Sequence, residues 1–126
     1  MVAFKNVTNH TLIVTNARIY DNSALYGGGA MILSFFKTSS NNTVIVTNTS
    51  FVDNNCSTVG GAINVNMFEM ANGNSLIVND STFEGNIANL GGGACSINLR
   101  VRWSVILCIS NWGIYLLVMG GMDVMA

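Results

Sequence analysis

Residues Val44 to Ile63 read VIVTNTSFVDNNCSTVGGAI, and this stretch decides the fold because it is present three times. The pattern stands 32 residues earlier as LIVTNARIYDNSALYGGGAM from Leu12 and 32 residues later as LIVNDSTFEGNIANLGGGAC from Leu76, with no gap between the units. Six columns are identical in all three: Ile13/Ile45/Ile77, Val14/Val46/Val78, Asn22/Asn54/Asn86, Gly28/Gly60/Gly92, Gly29/Gly61/Gly93 and Ala30/Ala62/Ala94. Ile19, Phe51 and Phe83 make a large apolar column, and Ala24, Cys56 and Ala88 a small one.

Each unit carries three short runs of strand character. Leu12 to Thr15, Val44 to Thr47 and Leu76 to Asn79 are dense in β-branched residues, which pleated strands favour. A second run surrounds Ile19, Phe51 and Phe83. The third follows the glycines and alternates with period two, placing Ile63, Val65 and Met67 on one face and Asn64 and Asn66 on the other. Equivalent inward sets are Met31, Leu33, Phe35 and Cys95, Ile97, Leu99. A helix does not produce this alternation.

Three strands per unit and a fixed apolar residue at each place describe a coil of a β-solenoid, in which each strand lies parallel on its copy at the strand spacing of about 4.8 Å. Asn22, Asn54 and Asn86 then form an amide ladder, as stacked asparagines do in cross-β assemblies. Each Gly-Gly pair supplies a turn with φ > 0, and the alanine after it fits a crowded corner. The polar stretches between Phe36 and Asn41 and between Phe68 and Asn74 differ most between units and are expected to protrude. Inward Leu12 and Val14 put Ile13, Ile45 and Ile77 either on the outer face as an apolar stripe or in a local bulge.

Phe51, Asn54 and Gly60 to Ile63 spell Phe-x-x-Asn followed by Gly-Gly-Ala-Ile, which resembles the polymorphic outer membrane protein repeat. The resemblance covers about residues 12 to 99, with Ile19 in place of Phe in the first unit and Cys95 in place of Ile in the third. It implies an all-β, right-handed parallel β-helix of the pectin-lyase-like group, here of about three 32-residue coils over residues 1–99 with an apolar tail over 100–126. It also implies surface-exposed or secreted domains used for adhesion and display. The repeat motif carries no catalytic residue.

Few residues of the chain carry chemistry. Pectin-lyase-like enzymes work through clustered carboxylates and basic residues on an outer face, which makes in-phase Asp21 and Asp53 the weak catalytic candidates. Stacked one coil apart, their carboxylates approach the separation of about 5 to 5.5 Å used by retaining glycosidases. The third copy is Gly85, Glu84 is one residue out of phase, and no Lys, Arg or His stands in phase beside them, although Arg18 is close in sequence. His10, the only histidine, has no Cys or carboxylate at ligand spacing, so no metal is expected. Of the three cysteines, Cys56 and Cys95 fall in different interior columns and read as buried thiols, and Cys108 lies in the tail. The Gly27–Gly29 and Gly91–Gly93 runs lack the Lys-Ser/Thr and helix of a phosphate loop, and no cofactor is expected.

Charge and composition narrow the partners. Charged residues are 9% of the chain, with 5 Lys+Arg against 6 Asp+Glu, which excludes nucleic acid because phosphate binding needs a clustered basic surface. A chain that is 50% hydrophobic can bury a core and does not have the composition of disorder. Six Asn-x-Ser/Thr acceptors stand at Asn6, Asn9, Asn41, Asn48, Asn55 and Asn79. Asn41 and Asn55 are the glycosylation candidates, whereas Asn48 is expected to point inward. In a eukaryotic host these acceptors favour an extracellular protein.

Both ends are distinctive. MVAFKNVTNH has no apolar core of a secretory signal, and Val2 to Phe4 match the end of a third strand, so the chain reads as a fragment that begins within a coil. Trp103 to Met122 carries no charge and follows Arg100 and Arg102, which fits a transmembrane helix, though Ser104, Ser110, Asn111 and Gly113 weaken insertion. A degenerate fourth coil is the second reading, with Ile109 and Tyr115 in phase but Val118 in place of Asn, and Val124 and Met125 in place of the glycines. A tail foreign to the fold is the third. Membrane association is preferred among these.

The sequence therefore leads to a non-enzymatic surface or extracellular module that meets a protein or carbohydrate ligand. A polysaccharide-active β-helix enzyme, or its remnant, is the alternative.

Overall fold

Strands form where the β-branched and alternating runs stand. The computed structural model describes residues 1–68, 71–99, 104–110, 113–119 and 123–125. In chain order the strands are β1 (Val2–Lys5), β2 (Thr11–Thr15), β3 (Arg18–Tyr20), β4 (Ser23–Ala24), β5 (Met31–Phe36), β6 (Thr43–Thr47), β7 (Ser50–Val52), β8 (Asn55–Cys56), β9 (Ile63–Met67), β10 (Asn74–Asn79), β11 (Thr82–Glu84), β12 (Ile87–Ala88), β13 (Cys95–Leu99), β14 (Ser104–Ser110), β15 (Gly113–Met119) and β16 (Asp123–Met125). No helix occurs among the described residues. The small column Ala24/Cys56/Ala88 forms a strand pairing of its own, β4, β8 and β12, beyond the three runs expected per unit.

These strands assemble into four sheets, ordered β1-β5-β9-β13-β16, β15-β14-β10-β6-β2, β11-β7-β3 and β12-β8-β4. Parallel pairing brings residues 32 apart face to face: Ile13 with Ile45 and Ile45 with Ile77, Ile19 with Phe51 and Phe51 with Phe83, Leu33 with Val65 and Val65 with Ile97. Period-two alternation then decides what is buried. Val44, Val46, Leu33, Phe35, Ile63, Val65, Met67 and Leu76 are fully buried, and Val78 and Ile97 nearly so. Stacking also aligns the rings: Phe51 lies on Phe83 with centroids 4.9 Å apart, and Phe4 lies on Phe35 at 4.7 Å. Each such side chain contributes about 1.5–3 kcal/mol by burial, and a ring pair about 0.5–1.5 kcal/mol more.

The first strand departs from the common register. β1 pairs Phe4 with Phe35, a spacing of 31, and the isolated bridge of Thr8 to Ser40 restores 32. A slip of one residue moves a strand's side chains to the opposite face, and here it puts Phe4 over core Phe35 rather than over outward Phe36.

The isoleucine column lies in regular strands. Ile13 is 59% exposed and Ile45 and Ile77 are half-buried, forming a stripe on the outer face. The polar stretch between Phe36 and Asn41 is largely exposed, with Ser39 drawn in. Ser39 is fully buried and donates its hydroxyl to the carbonyls of Phe4 (2.7 Å) and Phe36 (2.8 Å), leaving Lys37, Thr38 and Asn41 exposed.

The glycine pairs act through two different constraints. Gly60 and Gly92 have φ of 70° and 66°, but in the first unit the positive φ falls on Gly27 (67°) and not on Gly28. The second glycine of each pair is required by close approach. A Cβ on Gly61 would collide with the carbonyl oxygen of Gly93 and the backbone of Ile87, and one on Gly29 with the carbonyls of Gly61 and Asn55.

The apolar tail was expected first as a membrane helix, and its described residues form strands instead. β14 pairs parallel with β10, placing Ile106, Leu107 and Cys108 on Leu76, Ile77 and Val78. That register is 30, two residues short of the fourth-coil reading, so Leu107 rather than Ile109 faces Ile77. β15 then runs back antiparallel to β14, so Tyr115 does not continue the Phe51/Phe83 stack, and β16 closes antiparallel on β13 with Val124 opposite Ile97. Arg100, Arg102, Trp103, Asn111 and Met122 lie outside the described residues.

Candidate functional site

Three turn columns hold the left-handed region: Asn9, Asn41 and Gly73 at φ 61°, 55° and 66°, Asn16, Asn48 and Asp80 at 54°, 48° and 47°, and Asp21, Asp53 and Gly85 at 53°, 53° and 63°. Only Gly, Asn and Asp occupy this region readily, which accounts for the composition of all three columns. Asp21 and Asp53 are thus placed by the backbone. Both are exposed, and their N–H groups donate to the carbonyls of Val52 (3.1 Å) and Glu84 (2.9 Å) in the next layer. The guanidinium of Arg18 lies 5.2 Å from the centre of the Tyr20 ring. Among the described residues, no hydrogen bond or ion pair joins either carboxylate to a cationic side chain.

Ladders of amides run from the surface at Asn22 to the buried Asn54. Asn22 Nδ2 donates to Asn54 Oδ1 (3.0 Å), and Asn54 Nδ2 donates to Asn86 Oδ1 (2.9 Å) and to the carbonyl of Ile19 (3.0 Å). Backbone N–H groups of Asn22 and Asn54 join the same acceptors at 3.2 and 3.0 Å. Sequence reading missed a second ladder, fully buried, in which Asn42 Nδ2 donates to Asn74 Oδ1 at 2.9 Å. Its signal was present as an Asn at the same phase in two units, hidden because His10 stands in the third. The N–H of His10 donates to Asn42 Oδ1, and its Nδ1 lies 2.9 Å from the carbonyl of Thr8.

The outward side chains form rows of their own. Hydroxyls meet across layers at Thr8 and Ser40 (3.3 Å), Ser75 and Thr43 (3.2 Å), and Thr82 and Ser50 (3.1 Å). Amides and hydroxyls do the same at Asn48 and Asn16 (2.6 Å) and at Thr38 and Asn6 (3.2 Å). Asn48, expected to point inward, is exposed because its left-handed turn swings it out of the strand alternation. Asn41 and Asn55 are also exposed. Neighbouring members of a row stand at about the 4.8 Å spacing of paired strands, and two rows include a charge, Arg18 in register with Ser50 and Asp80 in the column of Asn16 and Asn48, whereas Thr11, Thr43 and Ser75 form a neutral one.

Little else on the described chain is built for chemistry. Cys56 is a buried free thiol whose Sγ lies 2.8 Å from the carbonyl of Gly27, and Cys95 is buried in a different sheet. No group of three or more His, Cys, Asp or Glu able to hold a metal occurs among the described residues. No helix of the described residues is long and apolar enough to cross a membrane. Compared with known proteins, the chain matches no family model, no curated protein and no solved structure.

Proposed function

We propose that the chain is a right-handed parallel β-helix segment of the polymorphic outer membrane protein repeat type, serving as a non-enzymatic extracellular or cell-surface module for adhesion or recognition. The observation that carries this reading is the set of outward hydroxyl and amide rows held by hydrogen bonds between layers, Thr43 with Ser75 above all. Such rows are ordered before any ligand arrives, so binding forfeits little side-chain entropy. The row of Thr11, Thr43 and Ser75 is neutral and offers hydroxyl donors and acceptors, which suit the hydroxyls of a neutral carbohydrate or the amides of an extended peptide. The ligand class is therefore a protein or carbohydrate of the cell surface.

The test is retention of the full chain on immobilised neutral and acidic polysaccharides, with release of new sugar ends measured in parallel. Retention without cleavage is expected, unchanged in Asp53→Asn and weakened in Thr43→Val/Ser75→Ala. Cleavage that disappears in Asp53→Asn would establish the polysaccharide-active enzyme and overturn the display reading.

A further inference from the structure

Polar side chains on the outer face of β5, β9 and β13 stand in a setting that demands partners and supplies none. Alternation turns two rows outward there, Ile32/Asn64/Ser96 and Ser34/Asn66/Asn98. The face is recessed, for Ser34, Asn64 and Ser96 are only 4%, 7% and 4% exposed. One side of the recess is the preceding turn, where a Cβ on Gly27 would lie 2.8 Å from Asn64 Nδ2. The other side is the half-buried ring pair of Phe36 and Phe68, stacked with centroids 5.1 Å apart. Among the described residues, none of the five Asn and Ser side chains makes a hydrogen bond, and Oδ1 of Asn98 is buried without a partner. The turn ladder shows the contrast, since Asn54 and Asn86 bond to each other across the same spacing between layers. Buried polar groups are as a rule paired, and a row of unpaired ones calls for a partner from outside the chain.

We propose that this recessed face binds a neutral oligosaccharide, whose hydroxyls complete the hydrogen bonds of Asn64, Asn66 and Asn98 and whose apolar ring face lies on Phe36 and Phe68. The proposal rests on the recognition reading above and places the ligand on a different sheet from the row of Thr43 and Ser75. Each amide offers one acceptor oxygen and two N–H donors, so a single Asn pairs with two adjacent sugar hydroxyls, which both donate and accept. An extended peptide is the poorer fit. It is captured through its main chain at a free strand edge, and β9 already has parallel neighbours on both edges. The two rows carry no charge. Lys5, in register with Phe36, and Asp123, in register with Asn98, belong to the strands at opposite ends of the sheet and are of opposite sign, which favours a neutral ligand over an acidic one. A few fixed polar groups beside an aromatic surface is the composition that gives a small ligand its orientation.

The experiment is titration of the isotopically labelled full chain with cellohexaose, xylohexaose, mannohexaose and, for comparison, an acidic oligogalacturonide, read from the side-chain amide signals. At least one neutral probe should shift the amides of Asn64, Asn66 and Asn98 and leave that of Asn54 in place. Asn64→Ile should weaken that binding at least about tenfold. The same variant should unfold at an equal or higher urea concentration, because it removes an unpaired amide and Ile32 already occupies this column one layer away. Thr43→Val/Ser75→Ala should leave the shifts intact. The proposal is overturned if no neutral probe moves these amides, if only the acidic probe does, or if the shifts survive in Asn64→Ile. It is equally overturned if Asn64→Ile is as destabilising as Asn54→Ala, which would mean that the amide has its partner within the protein. Shifts confined to Thr43 and Ser75 would overturn the recessed site while leaving saccharide recognition in place.

Discussion

Asn54 shows how much one side chain carries in this architecture. Fully buried, it donates to Asn86 and Ile19 and accepts two N–H groups from Asn22. Asn54→Ala leaves several of those groups without partners, and each orphaned buried group costs about 1–3 kcal/mol. We therefore expect a loss of about 3 kcal/mol in urea unfolding, against about 1 kcal/mol or less for Asn22→Ala, whose site is exposed. Equal losses at the two positions would contradict the ladder. Close approach gives a second residue-scale prediction: Gly61→Ala should cost about 3 kcal/mol or more, and Gly93→Ala less, because among the described residues a Cβ at Gly93 meets only the Asn86 carbonyl, 2.9 Å away. Both identities were visible as invariant columns of the repeat. What the sequence could not distinguish was a glycine needed for its φ from one needed for its missing Cβ. Nor could it show that Asp21 and Asp53 share a left-handed turn with Gly85.

Among the elements, the inner strands were legible because their period-two pattern recurs in phase, and the ends were not. β1 is too short for its alternation to fix a register, and only the pairing of Phe4 with Phe35 reveals the slip of one residue. The tail reads as a membrane helix because an apolar strand and a lipid-facing helix share the same composition. Its strands β14 and β16 pair on the outer edges of β10 and β13, next to Leu76, Val78 and Ile97. Removing residues 100–126 should therefore lower stability by about 3–6 kcal/mol, as these apolar side chains return to water. Aggregation or a much earlier urea midpoint in the shortened chain is the expected result. A shortened chain as stable as the full one would show that the tail does not complete the core.

For the whole molecule, parallel pairing sets residues 32 apart side by side in rows, and function is proposed to follow from the rows rather than from a pocket. Exposed Asn41 and Asn55 lie on this surface, so passage through a eukaryotic secretory pathway should attach glycans there; peptide mapping after enzymatic deglycosylation would read Asp at both positions. Unmodified Asn at both would remove the support that these acceptors lend to an extracellular location. The fold reading rests on contacts between residues 32 apart, and it is tested most directly by nuclear Overhauser contacts in the isotopically labelled full chain. Inter-strand contacts are expected to link Ile13 to Ile45, Ile45 to Ile77 and Phe51 to Phe83, together with slowly exchanging side-chain amide protons on Asn54. Contacts between residues three or four apart through these segments, or pairing of β2, β6 and β10 or of β3, β7 and β11 out of the 32-residue register, would contradict it.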